Sequence, residues 1–381
     1  MYFDTDQLDL ADAVSAFCAR ECGTREQRAH WTNDGTLIHS RDLFKKMAQL
    51  GWAGIAIPEE YGGSGGGLVE QCIFFEETSR AMAPVAAAAS SQLVAQTLVK
   101  FGSEQQKKER LSALADGDTM SISVSEPDAG SDVSNVSCKA VLSDTTIVVN
   151  GQKTWASYAH LVDRILLVVR TSRNKDKRHF GLTMLDIDPG TAGVDIKGIP
   201  TMGEREVNDI YLTDAEFARD NVVGEIDQAW KQVMASLNGD RLIIAAQAVG
   251  NARRAIADII KFMGERRQFG TTISSFQAMR HRLADLAADV EAAKALTYAA
   301  AFRLQNGTGT AAELNRLTSM AKLRATETAR NVALNGIQML GGYGYTTEFD
   351  MEHIARNTIA ATIYGGTSEI QRDIIAKTLL P

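Results

Sequence analysis

The apolar spacing changes twice along this chain, and those changes restrict the fold more than any single motif. Asp9–Cys22, Ser40–Leu50, Gly67–Met82 and Ser91–Phe101 repeat apolar residues every three or four positions, the period of a helix face. Near Thr119 short β-type runs take over: Thr119–Ser125, Ile147–Asn150, Ile165–Thr171, Gly181–Asp186, Gly193–Gly198 and Asp209–Leu212. From Asp227 the helical period returns. Met279, Leu283, Leu286, Val290, Ala293, Leu296 and Ala300 step along one face, and Ala312–Leu340 behaves alike. Long helices joined by short loops predict an antiparallel bundle. The reading is an α+β chain, with a helical N-terminal domain over 1–116, a middle antiparallel β-domain over 117–225 and a C-terminal helical bundle over 226–381. Asn150-Gly151 predicts a hairpin turn, and Gln105–Leu114, opening on charged residues, an exposed helix.

With 381 residues, 45% of them hydrophobic, the chain has ample length for a large core and several domains. A net charge of −7 lacks the basic excess of a nucleic-acid binder; the short run Lys175–Arg178 reads as a solvated loop. The N-terminus, MYFDTDQLDL, has no apolar signal core, and no window reaches the roughly eighteen apolar residues of a membrane span. A soluble, cytoplasmic protein with no membrane contact is expected. Cys18, Cys22, Cys72 and Cys138 are too scattered for a disulfide scaffold, and neither they nor the six histidines show metal-ligand spacing.

Four stretches carry chemistry. Ala361–Arg372 reads ATIYGGTSEIQR: Gly365 and Gly366 permit close backbone approach, Thr367 and Glu369 offer polar side chains, and a helix follows whose first N–H groups are free. Val124–Asp132, VSEPDAGSD, lies just after a strand, and its small residues suit either an anion-binding turn or a solvent-facing Asx-type turn. Gln152–Ser157, QKTWAS, places Trp155 and Ser157 two apart on one strand face. Trp155 suits a planar cofactor or a core. Arg266–Gly270, RRQFG, ends a helix, where its guanidinium groups can cap the negative end or grip a pyrophosphate. Gln338–Gly344, QMLGGYG, is a second glycine-rich helix ending.

VSEPDAGSD, KTWAS, RRQFG, IQMLGGYGY and IYGGTSEIQR, collinear over nearly the whole chain, resemble the acyl-CoA dehydrogenase family. The resemblance implies a helical N-terminal domain, a β-domain and a C-terminal four-helix bundle, with FAD between the last two and reaching a neighbouring subunit. By motif position it assigns Val124, Ser125 and Ser131 to the flavin and thioester, Trp155 and Ser157 to the isoalloxazine, and Thr367 and Glu369 to the adenine-dinucleotide part. Arg266, Phe276, Gln277, Gln338 and Gly342 would reach FAD on the partner subunit, which implies a dimer of dimers, a homotetramer. The implied reaction is α,β-dehydrogenation of an acyl-CoA, in fatty or branched-acyl metabolism. A carboxylate takes the α-proton, the β-hydrogen leaves as hydride, and electrons pass to an electron-transfer flavoprotein.

One position departs from the pattern. Most of the family carries its catalytic glutamate in the terminal loop after the tyrosine; here Gly365 follows Tyr364, both assigned to substrate binding. A minority, resembling isovaleryl-CoA dehydrogenase, carries the acid on a bundle helix before an arginine. The matching pair here is Asp240-Arg241, which makes Asp240 the expected base and Arg241 the residue that holds the thioester's CoA portion or orders the helix. Glu76 and Glu77 sit where the acyl pocket is usually built, and read most simply as helix-surface charge. Gly365 also motivates two rival readings: a non-catalytic subunit of a heterotetramer, or a family variant acting on a carrier-protein thioester or another substrate.

Overall fold

A computed structural model describes residues 3–380 except Lys175 and Arg178. Those two residues of the basic run thus lie outside the described residues; Asp176 and Lys177 between them are exposed. The helices are α1 (Thr5–Cys22), α2 (Arg25–Thr32), α3 (Arg41–Ala48), α4 (Leu68–Arg80), α5 (Ala87–Phe101), α6 (Glu104–Gln106), α7 (Ser112–Ala115), α8 (Ala229–Glu265), α9 (Gln277–Gln305), α10 (Ala311–Leu340), α11 (Met351–Ala361) and α12 (Ser368–Leu379). The strands are β1 (Met120–Ser123), β2 (Lys139–Leu142), β3 (Thr146–Ser157), β4 (Arg164–Arg170), β5 (Leu182–Ile187), β6 (Val194–Gly198), β7 (Val207–Ala218), β8 (Val222–Val223), β9 (Arg267–Gln268) and β10 (Thr271–Thr272). The class is α+β. No helix among the described residues is long and apolar enough to cross a membrane.

The chain groups into two compact units. One takes Met1–Arg25, Leu68–Ala83 and Asn238–Pro381; the other takes Glu26–Gly67 and Pro84–Leu237. In the first, the predicted helical stripes meet. Val249, Ala252 and Ile259 of α8, Leu286 and Val290 of α9, Ala329 and Val332 of α10 and Ile354 of α11 share one core. Its many alanines let the helix axes come close. The start of α10 is fixed by a capping box between Thr310 and Glu313, which satisfies end N–H groups that have no helical partner.

The second unit is built on an eight-stranded sheet in the order β6-β7-β3-β2-β4-β5-β8, with β1 beside β4. Ile165, Leu167 and Val169 of β4 join one core and Leu166 and Val168 join another. Alternate side chains point to opposite faces, so a strand covered on both sides reads as an unbroken apolar run. The sheet is antiparallel along most of its path, but β1 runs parallel to β4 over four residue pairs. The long connection between them allows that crossover, which a short hairpin would forbid.

Two local expectations are corrected. Asn150-Gly151 is not a hairpin: β3 runs straight through it, and the β2–β3 turn falls at Ser143–Thr146, closed by Ser143 N to Thr146 O at 2.8 Å. Gly151 marks a register shift against β7. Its φ is +149°, and a Cβ there would stand 2.9 Å from Cys138 Cα and Sγ, so the glycine serves a bulge. The stretch expected as an exposed helix contains a π-helical turn at Lys107–Leu111. Leu111 and Leu114 are buried in the core, while Gln105, Lys108 and Glu109 are exposed.

Candidate active site

Within the bundle unit, three segments bring polar groups to one place. α8 presents Asp240 and, one turn on, Ile244, an i to i+4 pair on one face. The loop between α11 and α12 turns through Gly365 (φ +63°) and Gly366 (φ +83°). Thr367 then caps α12, accepting from Ile370 N at 3.3 Å. The loop's carbonyls turn inward. Gln371 Nε2 donates to Gly365 O and Gly366 O, each at 3.1 Å, and Lys322 Nζ of α10 donates to Gly366 O at 2.9 Å. A Cβ on residue 365 would stand 3.6 Å from Asp240 Oδ2 and would run into Cδ1 of Ile244. Asp240 therefore places its carboxylate beside the spot where a glutamate at 365 would be rooted.

The electrostatics of this corner are balanced. Burial pushes the Asp240 carboxyl up to about 6, against the pull of Arg241 and Lys322. Burial likewise holds Lys322 down to about 8, against the pull of Asp240. Desolvation disfavours each charged form, and the opposite charge restores part of it. Near neutral pH the pair is mostly ionised. Arg241 is buried and turned to the bundle: its Nη1 donates to Asn238 Oδ1 at 2.9 Å and Asn315 Oδ1 at 2.6 Å. Of its two expected roles, these contacts suit ordering the helix. Among the described residues its Nε has no partner.

Glu76 and Glu77 are not surface charge. They are 1% and 7% exposed. Glu76 accepts from Tyr298 Oη and Lys294 Nζ, both at 2.7 Å, and from Arg253. Glu77 accepts from Arg253 Nη1 at 2.7 Å and from Arg80. The periodicity of α4 hid this, because buried carboxylates persist only where cations from other helices meet them.

At another end of the bundle unit, Arg266 lies over the Tyr343 ring at 5.4 Å, and Phe269 faces Phe276 with centroids 6.2 Å apart. This joins the two glycine-rich helix endings. Gln277, Gln338 and Gly342 are exposed there, as are Phe269 and Tyr345. Tyr364 and Glu369 are exposed, and Thr367 is half-buried.

In the sheet unit, the loop after β1 is strapped to β3. Glu126 accepts from Ser137 N at 2.7 Å, Cys138 N at 2.9 Å and Lys153 Nζ at 2.7 Å. Lys153 also donates to Val124 O at 2.9 Å, and Thr154 N to Ser125 O at 3.0 Å. Val124 and Ser125 are half-buried and Ser131 is exposed. Beside this strap the β3–β7 register shifts between Lys153 and Ala156. Trp155 there adopts φ +57° and is 58% exposed, while Ser157 is half-buried. The bulge breaks the simple alternation expected of Trp155 and Ser157. It also turns the indole out of the core.

Family models for the acyl-CoA dehydrogenase N-terminal, middle and C-terminal domains match residues 4–118, 121–215 and 227–380. The chain belongs to the acyl-CoA dehydrogenase family. It is 34% identical over 381 residues to a probable acyl-CoA dehydrogenase, YngJ, of Bacillus subtilis, covering 98% of both chains. It is 33% identical over 352 residues to a subunit of the caffeyl-CoA reductase–Etf complex of Acetobacterium woodii, covering 89% of this chain and 90% of that one. The solved butyryl-CoA dehydrogenase of Megasphaera elsdenii superposes with a TM-score of 0.90 at 27% identity, over 100% of this chain and 99% of that one. As an acyl-CoA dehydrogenase family member the chain is a flavin-dependent oxidoreductase, and its cofactor is FAD.

The residues present fit that group. Trp155 offers an exposed indole plane held by a bulge. At the start of α12, Ser368 Oγ and Gln371 Oε1 are buried and, among the described residues, without a partner, so both are open to a hydrogen bond from a bound group or water. Sequence reasoning missed Lys322 and Ile244. The one available signal was a lysine in a run of small buried residues, Thr318, Ser319, Ala321, Ala325 and Thr326.

Proposed function

We propose that this chain dehydrogenates an acyl-CoA between Cα and Cβ, with Asp240 as the base. One observation carries the reading: the Asp240 carboxylate stands 3.6 Å from the point where a side chain on Gly365 would begin. Asp240 takes the α-proton, and the C–H bond at Cβ breaks with its electron pair. Bound FAD supplies the acceptor for that hydride. A carboxyl near 6 is ionised at neutral pH yet basic enough to hold the proton it takes. Ser131, Tyr364 and the Gly365 backbone position the thioester, and Arg241 orders the helix that carries Asp240. Val124, Ser125, Trp155, Ser157, Thr367 and Glu369 hold FAD. Arg266, Phe276, Gln277, Gln338 and Gly342 hold the FAD of a second copy, in a homotetramer. Electrons leave to an electron-transfer flavoprotein, a reading supported by the relative named as part of an Etf complex.

The same geometry serves the reverse reaction, reduction of a 2-enoyl thioester. Asp240 would then give its proton to Cα, and the titration near 6 favours neither direction strongly. The reductase relative supports keeping this reading. The half-site reading loses its motive, since the slot that Gly365 leaves empty has a carboxylate beside it.

Asp240→Asn in the purified FAD-loaded protein tests the assignment. The variant should stay yellow and no longer bleach anaerobically with any acyl-CoA that bleaches the wild type. Turnover near wild type in Asp240→Asn would remove Asp240 from the mechanism.

A further inference from the structure

Lys322 is fully buried in the middle of α10, where an ammonium group is costly unless something needs its charge. Among the described residues its ammonium's only hydrogen bond is to Gly366 O, at 2.9 Å. That carbonyl already accepts from Gln371 Nε2 at 3.1 Å, so satisfying the loop does not by itself require a lysine. We propose that Lys322 is a positioning residue for Asp240: it fastens the Gly365–Gly366 turn beside the carboxylate and adds, beside Arg241, a second cation that favours the ionised carboxylate. The proposal rests on the reading of Asp240 as base.

Arg241 exerts the larger pull on Asp240 and Lys322 the smaller, and of the two it is Lys322 that is bonded to the terminal loop. The charged groups acting on Asp240 are Arg241 from α8 and Lys322 from α10. Arg241 directs its Nη1 to Asn238 and Asn315. The charged groups acting on Lys322 are Asp240 and Arg241 from α8, Glu369 from α12 and Glu327 from its own helix. Glu327 is paired with Arg372 at 2.6 Å, and Glu369 is exposed with Arg372 3.9 Å away. Asp240 is thus the carboxylate that Lys322 best serves. The loss of a nearby opposite charge raises a carboxyl's titration point, typically by about one unit or more.

The test compares the pH dependence of anaerobic flavin bleaching in wild type, Lys322→Gln, Lys322→Met and Lys322→Arg, with Asp240→Asn alongside. The Gln variant keeps a donor for the loop without the charge. The low-pH limb should move up by about one unit in Gln and Met, and stay in place in Arg whatever happens to the rate. The Asp240 carboxyl band in pH-difference infrared spectra, identified by its loss in Asp240→Asn, should shift the same way without substrate. That measurement needs no turnover, so it decides the matter if a variant loses FAD. A rate that falls equally at every pH, with limb and band unmoved in Lys322→Gln, would reduce Lys322 to a structural part. Persistent bleaching by Asp240→Asn would instead overturn the base assignment, a separate outcome.

Discussion

Cδ1 of Ile244 occupies the space into which any side chain on residue 365 would grow. The two positions are matched: a bulky aliphatic on α8 and a glycine with φ +63° in the loop. Gly365→Glu should therefore not simply supply a second base. It adds overpacking and left-handed backbone strain, together about 2–4 kcal/mol. Adding Ile244→Ala should return the packing part, read as a partial recovery of the unfolding midpoint. Gly365→Glu as stable as wild type would show that the loop gives way.

Asp240 should be a stability liability above its titration point. Its folded carboxyl is raised from 3.8 to about 6. Between pH 4 and 6 the folded protein holds a proton that the unfolded chain has released, so stability falls as pH rises through that window. Asp240→Asn should match wild type near pH 4 and exceed it by up to about 3 kcal/mol above pH 6. Denaturant midpoints at the two pH values check this, and an equal offset at both would contradict it.

Lys153 and Glu126 are both buried, with Nζ and Oε1 2.7 Å apart. Removing one partner leaves the other charge stranded at a cost of about 3–5 kcal/mol. Lys153→Met should lose about that much, and Lys153→Met with Glu126→Gln distinctly less. Urea unfolding of wild type and the two variants gives the comparison; a double variant no better than Lys153→Met would mean the pair is not the cause.

Trp155 stands out of the sheet beside its register shift. Trp155→Ala should weaken FAD retention by about 0.5–1.5 kcal/mol and leave the FAD-free protein as stable as before, because the indole packs into no core. Thermal midpoints with graded FAD separate the two effects. A large fall in the FAD-free midpoint would assign Trp155 to packing.

The helix–sheet–helix order was legible because each element buries one face, which imposes its period on the residues. The strand β4 was legible for the opposite reason, being apolar on both faces. Asn150-Gly151 misled because the same dipeptide that suits a two-residue turn also suits a bulge, and the choice depended on Cys138, just before β2, which leaves no room for a Cβ on residue 151, and on Asp214 of β7, which exchanges hydrogen bonds with Asn150. Glu76 read as surface charge because its cations, Arg253 and Lys294, lie far along the chain. The candidate base was found through a gap at Gly365 and a carboxylate before Arg241. Lys322 stayed hidden since its meaning arises only where α8, α10 and the terminal loop converge.

Leu166 and Leu167 are neighbours in the chain, yet they serve different cores. Damage at either should loosen its own layer and, through the shared backbone, the other layer too. The β-rich unit should then melt as one body, with no half-molten form that keeps Trp155 and the Val124–Ser125 strap in register.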